Sequence, residues 1–208
     1  MTMIPDNQIY LASRSPRRRE LLRQIGVRFN LLLMRETLGR PVDIDEQPLD
    51  GEAPADYVYR IVQFKAQEGW KRLSQRKFPV LPILVADTIV TLDGSILGKP
   101  RDMAHAESML SALSGRSHEV LTAIGVGVRD RVQVRLSRST VRFREISTHE
   151  IQKYLAAHNI LDKAGAYAIQ GMAAIFITEI NGSYSGIMGL PLYETAQLLE
   201  ESGIALFP

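Results

Sequence analysis

A chain of 208 residues, 45% hydrophobic and 23% charged, is long enough to bury one sizeable core as a single globular unit. A net charge of +2 gives no electrostatic case for a nucleic-acid partner, and the absence of cysteine excludes disulfides, thiolate nucleophiles and thiolate metal sites. Met1 to Asp6 contain neither a basic stretch nor a long apolar run, and no segment is apolar enough for a membrane span, so a cytoplasmic protein without a membrane partner is expected.

Ile9 to Ala12 reads as a short buried strand, and Ser15-Pro16 as a helix start with Ser15 as N-cap and Pro16 at N1. Leu21, Leu22 and Ile25 supply that helix's apolar face, and Gly26 ends it. Arg17, Arg18 and Arg19 then crowd the positive end of the helix dipole, where each is disfavoured by roughly 0.3–1 kcal/mol unless an anion compensates. A phosphate receptor and a solvated Arg-rich turn fit this segment equally well. The acidic stretch from Gly39 to Ala55 reads as an ordered surface loop. Pro54 opens a helix whose apolar stripe runs through Val58, Ile61, Val62, Ala66 and Leu73.

Ile83 to Ala86 reads as a buried strand, and Asp93-Gly94 as a hairpin turn after Ile89 to Leu92. Asp102 caps a helix that Gly115 ends, and Ser147 to Glu150 has capping-box spacing. Ala173 to Ile180 reads as a strand, with Asn181-Gly182 as a tight turn, and Pro191 starts a last helix stopped by Gly203. Strand-like and helical patterns alternate with no repeat or linker, which predicts an α/β fold and a single domain over residues 1–208.

Two polar residues interrupt apolar patterns. Lys65 lies on its helix's apolar stripe, either snorkelling to the core edge or pointing its ammonium into a cleft. Asp87 breaks an otherwise continuous buried strand, so it must be hydrogen-bonded, paired, metal-bound or protonated. It either caps a bend or serves as a catalytic carboxylate at a strand end, and the second is favoured. Lys99, between Gly98 and Pro100, is expected to project from a rigid loop. His118 follows a helix exit, where a lone histidine is expected to be solvated. In Asp162 to Gly171 small residues allow close backbone approach to a ligand, and Gln170 offers a donor and an acceptor suited to a base edge. Asn181 to Tyr184 offer further donors. Together these groups suggest a nucleotide phosphate site.

The ordered motifs Leu11-Ala12-Ser13, Ser15-Pro16-Arg17-Arg18, Lys65-Ala66, Ala86-Asp87-Thr88, Gly98-Lys99-Pro100, Ser114-Gly115, Asp162 to Gly171, Gly182-Ser183-Tyr184 and Gly189 to Leu192 resemble the Maf family of nucleoside triphosphate pyrophosphatases. The resemblance implies a Maf/ITPase-like fold: an elongated mixed sheet with flanking helices, and two lobes around a central cleft. It implies hydrolysis of a nucleoside triphosphate to the monophosphate and pyrophosphate, a divalent metal such as magnesium or manganese, and a homodimer. By resemblance Asp87 is the proton acceptor that activates water, and Ser13, Arg17, Arg18, Lys65 and Lys99 line the phosphate path. Glu46 matches a carboxylate near the metal or phosphate, and Asp87 can itself be a metal ligand. Arg17, Thr88 and Gln170 match positions associated with base selectivity, and the motifs are similar to the branch acting on dTTP and UTP. Alternatives are a nucleotide-binding regulator of septum formation without turnover, and the same reaction on a modified nucleotide such as 7-methyl-GTP.

Overall fold

The computed structural model describes residues 7–33, 46–129 and 131–206, so the first part of the acidic loop expected between Gly39 and Ala55, residues 39–45, lies outside the described residues. Seven strands are present among them: β1 (Gln8–Leu11), β2 (Arg28–Leu31), β3 (Ile83–Leu92), β4 (Ser95–Leu97), β5 (Ser117–Val128), β6 (Arg131–Phe143) and β7 (Ile177–Asn181). They form one mixed sheet in the order β2-β1-β3-β5-β6-β7, with β4 also on β3. β1 runs parallel to β2 and β3, and the remaining pairs are antiparallel.

Six helices flank the sheet: α1 (Pro16–Gln24), α2 (Pro54–Arg76), α3 (Met103–Leu113), α4 (Thr148–Ala157), α5 (Tyr184–Met188) and α6 (Leu192–Glu201). Their ends follow the local chemistry. Ser15 Oγ accepts the Arg18 N–H at 3.5 Å, Asp102 accepts that of His105 at 2.7 Å, and Ser147 with Glu150 completes a capping box. Asp93 and Gly94 both adopt left-handed backbone (φ 51° and 78°), as a two-residue hairpin turn requires.

Alternation along β3 divides the core. Ile83, Val85 and Ile89 pack under α2 with Val58, Ile61 and Val62. Leu84 and Ala86 face the opposite side, with Leu21 and Leu22 of α1 and Leu198 and Leu199 of α6. Val90 and Leu92 belong to a further cluster, with Leu110 of α3 and Tyr154 of α4. The cleft lies where these clusters meet. α2 sits close to the sheet because β5 carries Gly125, where an added Cβ would stand 2.7 Å from a Val62 methyl.

The structure departs from the sequence reading at two places, residues 172–176 and His118. Residues Met172–Phe176 form a short 3-10 helix, so β7 begins only at Ile177. A short apolar run fits strand and helix equally, and this one buries Ala173 and Phe176 while exposing Met172 and Ile175. The turn expected at Asn181-Gly182 leads the chain from β7 into α5, where Ser183 accepts the Gly186 N–H and starts the helix. His118 is not solvated: it lies in β5, 3% exposed, with Nε2 2.8 Å from the Tyr167 hydroxyl and its ring edge-on to Phe143.

Burial lowers the His118 pKa from 6.5 to about 4. The imidazole is therefore neutral in the fold, whereas the unfolded chain takes up a proton below pH 6.5. Its contribution to stability is complete above pH 6.5 and is lost as pH falls toward 4. Urea denaturation across that window should show about 3 kcal/mol of acid-dependent loss that His118→Gln lacks. Equal acid slopes in the two proteins would contradict this.

Candidate active site

β1 and β4 share one edge of β3 but do not meet on it. β1 pairs only with Ile83 and Leu84, and β4 with Val90 to Leu92. Between them Val85 to Ile89 have a strand neighbour on the β5 side alone, and a cleft of about 1100 Å³ opens against this stretch. Its walls come from the β1–α1 loop, residues 46–48, α2, Gly98-Lys99, the segment 162–170 and the end of α5. Such a break in strand pairing is a favoured place for a ligand in an α/β sheet.

Asp87 sits in this gap on the α2 face, with its side chain 15% exposed. Lys65 projects from the buried stripe of α2 and donates from Nζ to Asp87 Oδ1 at 2.7 Å, with Glu46 Oε1 at 2.8 Å. The snorkelling reading of Lys65 thus gives way to an ammonium held between two carboxylates. Burial disfavours its charge, but Asp87 and Glu46 outweigh that and raise the pKa above the usual lysine value. Burial acts on Glu46 in the opposite sense, and the Lys65 ammonium prevails there too, holding its pKa below the usual carboxylate value. Tyr57 donates to the Glu46 carbonyl at 2.8 Å and fixes that residue over the cleft.

On the other face of β3, Arg18 acts as a brace. Its guanidinium donates from Nη1 to Ser13 Oγ at 3.3 Å and the Ala86 carbonyl at 2.9 Å, from Nη2 to Thr88 Oγ1 at 3.1 Å, and from Nε to the Gly189 carbonyl at 2.7 Å. The Leu84 carbonyl takes the last rung from Ala12 of the β1 end, and Arg18 supplies a donor to Ala86 where the rungs stop. Burial lowers the Arg18 pKa, opposed by Asp87.

Every expected site residue reaches the cleft: Ser13, Arg17, Arg18, Glu46, Lys65, Asp87, Thr88, Lys99 and Gln170 all line it. Six basic side chains face three carboxylates along its walls, a local excess of positive charge in a chain of net +2. Arg19 is not among the lining residues and instead donates to the Arg14 carbonyl at 3.4 Å. Ser183 and Tyr184 are also absent from the lining: Ser183 accepts from Gly186, and its N–H donates to Ser139 Oγ at 2.9 Å. Their motif builds α5, which presents Gly189 to Arg18. Sequence reasoning missed Tyr57, which reads as an ordinary core residue, and took His118 for a solvated side chain rather than the buried partner of Tyr167 at the cleft wall.

No group of three or more His, Cys, Asp or Glu poised for a metal exists among the described residues. Two carboxylates converging on one ammonium nonetheless fit a hard cation, since Lys65 engages one oxygen of each and magnesium commonly takes only one or two carboxylates beside substrate phosphates.

The family model for "Maf-like protein" matches residues 8–202, and the chain belongs to that family. A "dTTP/UTP pyrophosphatase" of Nitrosomonas europaea is 63% identical over 201 residues, covering 97% of both chains. Proteins of the same name from Nitrosospira multiformis and Aromatoleum aromaticum are 58% identical, with both chains covered in full, and 54% identical, with 96% of this chain and 97% of that one covered. Among solved structures, the Staphylococcus aureus Ham1 protein matches at a TM-score of 0.43 and 16% identity, covering 68% of this chain and 73% of that chain.

The bracing geometry carries an expectation. The four acceptors of Arg18 belong to three separate chain segments, which the guanidinium ties together. Arg18→Lys keeps the charge and loses the planar fork, so unfolding free energy should fall by about 2–4 kcal/mol in chemical denaturation. A change below about 0.5 kcal/mol would mean that the fork holds nothing together.

Proposed function

We propose that this protein hydrolyses pyrimidine nucleoside triphosphates, dTTP and UTP foremost, to the monophosphate and pyrophosphate, as a house-cleaning enzyme of the nucleotide pool. The observation that carries this reading is Asp87, braced by Lys65 at an open strand edge in a basic cleft. The names of its full-length relatives agree with it. A module that only binds anions gains nothing from a carboxylate beside the phosphates, so the geometry disfavours a regulator without turnover.

Asp87 takes a proton from water through the oxygen that Lys65 leaves open, and the hydroxide formed attacks the α-phosphorus. The bond to the bridging oxygen breaks, and the pyrophosphate leaves toward Arg17 and Lys99, whose charges offset the one it gains. Lys65 keeps Asp87 aimed, and Ser13 with Arg18 shapes the loop that meets the phosphates. A divalent cation, magnesium or manganese, would supply further charge neutralisation when held by Asp87 and Glu46. Gln170 and Thr88 meet the base. The exposed side chains of Met172, Ile175 and Ile180, on and beside edge strand β7, support a homodimer. Among the described residues no helix is long and apolar enough to cross a membrane, which accords with a cytoplasmic site of action.

The test is a panel of triphosphates with magnesium or manganese, each assayed separately for pyrophosphate and orthophosphate. Pyrophosphate from dTTP and UTP ahead of CTP and 7-methyl-GTP is expected, and a panel led by either of the latter would overturn the substrate assignment. Asp87→Asn keeps its shape and leaves Glu46 to pair Lys65, so the variant should fold while turnover falls roughly 10²–10⁴-fold. Lys65→Ala should lower kcat/KM by on the order of 10–10³. Near-normal turnover of Asp87→Asn would remove it as the base.

A further inference from the structure

Glu46 meets the Lys65 ammonium at 2.8 Å although its own side chain is 46% exposed. Packing does not hold a half-exposed carboxylate in place, so its position depends on its backbone. That backbone is fastened to the first turns of α2. Tyr57 donates to the Glu46 carbonyl, and Arg60 Nη2 donates to the next one, that of Gln47, at 3.0 Å. Arg60 also donates from Nε to Glu52 Oε1 at 2.5 Å and from Nη2 to Glu52 Oε2 at 2.7 Å, a two-pronged pair in which the Glu52 side chain is 9% exposed. Glu52 Oε2 accepts the Leu49 N–H at 3.0 Å, and the Glu52 N–H donates to the Leu49 carbonyl at 3.0 Å, which closes residues 49–52 into a turn. The Arg60 guanidinium lies 5.5 Å from the centre of the Tyr57 ring, so the two side chains that hold consecutive carbonyls also support each other.

We infer that Arg60 is a positioning residue for the proposed hydrolysis: through Glu52 and the Gln47 carbonyl it straps residues 46–52 to α2, and the strap keeps the Glu46 carboxylate in the cleft. Arg60 and Glu52 do not line the cleft and act through residues that do. Positions 57 and 65 stand about 12 Å apart along a helix. Glu46, caught by its carbonyl at the first and by its carboxylate at the second, is therefore stretched along α2 toward the gap in β3. A slack strap lets that carboxylate drift into solvent. The Lys65 ammonium then leans on Asp87 alone, and one of the two carboxylates open to a cation leaves the site. A partly exposed ion pair adds little to global stability, whereas a planar fork that also holds a carbonyl fixes a stretch of backbone.

This inference rests on the pyrimidine triphosphatase reading, and its test separates the two. In Arg60→Gln, amide hydrogen exchange at Leu49 and Glu52 should rise about tenfold while β3 and β5 keep their protection. With magnesium present, kcat/KM for dTTP should fall about tenfold and KM should stay within about twofold of wild type, the mark of a misplaced group rather than of lost binding. Glu52→Ala should reproduce both effects, and it serves alone where Arg60→Gln does not fold. In a Glu46→Gln background Arg60→Gln should lower kcat/KM by less than about twofold, because the strap then has no carboxylate to place. Unchanged exchange, faster exchange with kcat/KM intact, or the full loss repeated in the Glu46→Gln background would each overturn the inference while leaving the proposed function standing. Wild-type protein that releases no pyrophosphate from any pyrimidine triphosphate would overturn both.

Discussion

Everything in the cleft follows from an interruption in hydrogen bonding along one strand. β3 has neighbours on both edges at its two ends but only one in the middle, where Val85 to Ile89 face open space. An unpaired strand edge is unstable as backbone and invites partners. Here the Ala86 carbonyl receives a guanidinium in place of a strand. Because Arg18 also reaches Ser13 and Gly189, the group that closes the ladder ties the β1–α1 loop and the α5 turn to the same point. The gap leaves side chains on both faces of β3 accessible from one space. Asp87 enters from the α2 side and Thr88 from the α1 side, so two consecutive residues reach one space from opposite faces without competing for room.

Charge is arranged on the same principle of local compensation. A net +2 over the whole chain conceals a cleft with twice as many basic as acidic side chains. The acids are not dispersed among them. Asp87 and Glu46 are gathered around the ammonium of Lys65, and Asp162 is paired with Lys163, which leaves the rest of the wall to an anion. Arginine and lysine divide the work by geometry. The fork of Arg18 matches fixed carbonyls and hydroxyls, whereas the point charge of Lys65 sits between two carboxylates approaching from different elements.

The sequence was most legible where local chemistry decides the outcome. Ser15-Pro16, Asp93-Gly94, Asp102 and the Ser147 capping box each make bonds within a few residues, and each element starts or turns where that chemistry places it. Lys65 and Asp87 stood out because an ion inside an apolar pattern demands a partner, although nothing local says that the two partner each other. What escaped notice depends on distant contacts. β5 and β6, the longest strands, went unremarked because Gly125 and Gly127 dilute the apolar run of one and arginines that of the other. The stretch 172–176 became helical rather than extended because Ala173 and Phe176 fill the cluster beside Phe143 and Tyr154. His118 is buried because Tyr167, 49 residues away, meets its ring nitrogen.

Asp87 belongs to the interior of a ten-residue strand rather than to a loop. Loops lengthen and shorten readily over evolutionary time, but a single inserted or deleted residue in β3 would exchange its two faces along the rest of the strand. Asp87 would then turn away from Lys65, and an apolar neighbour would face the ammonium in its place. The reacting groups are thereby tied to the reading frame of the sheet. Lineages that diversify this scaffold are confined to substitution along β3, while changes of length fall on the walls around it.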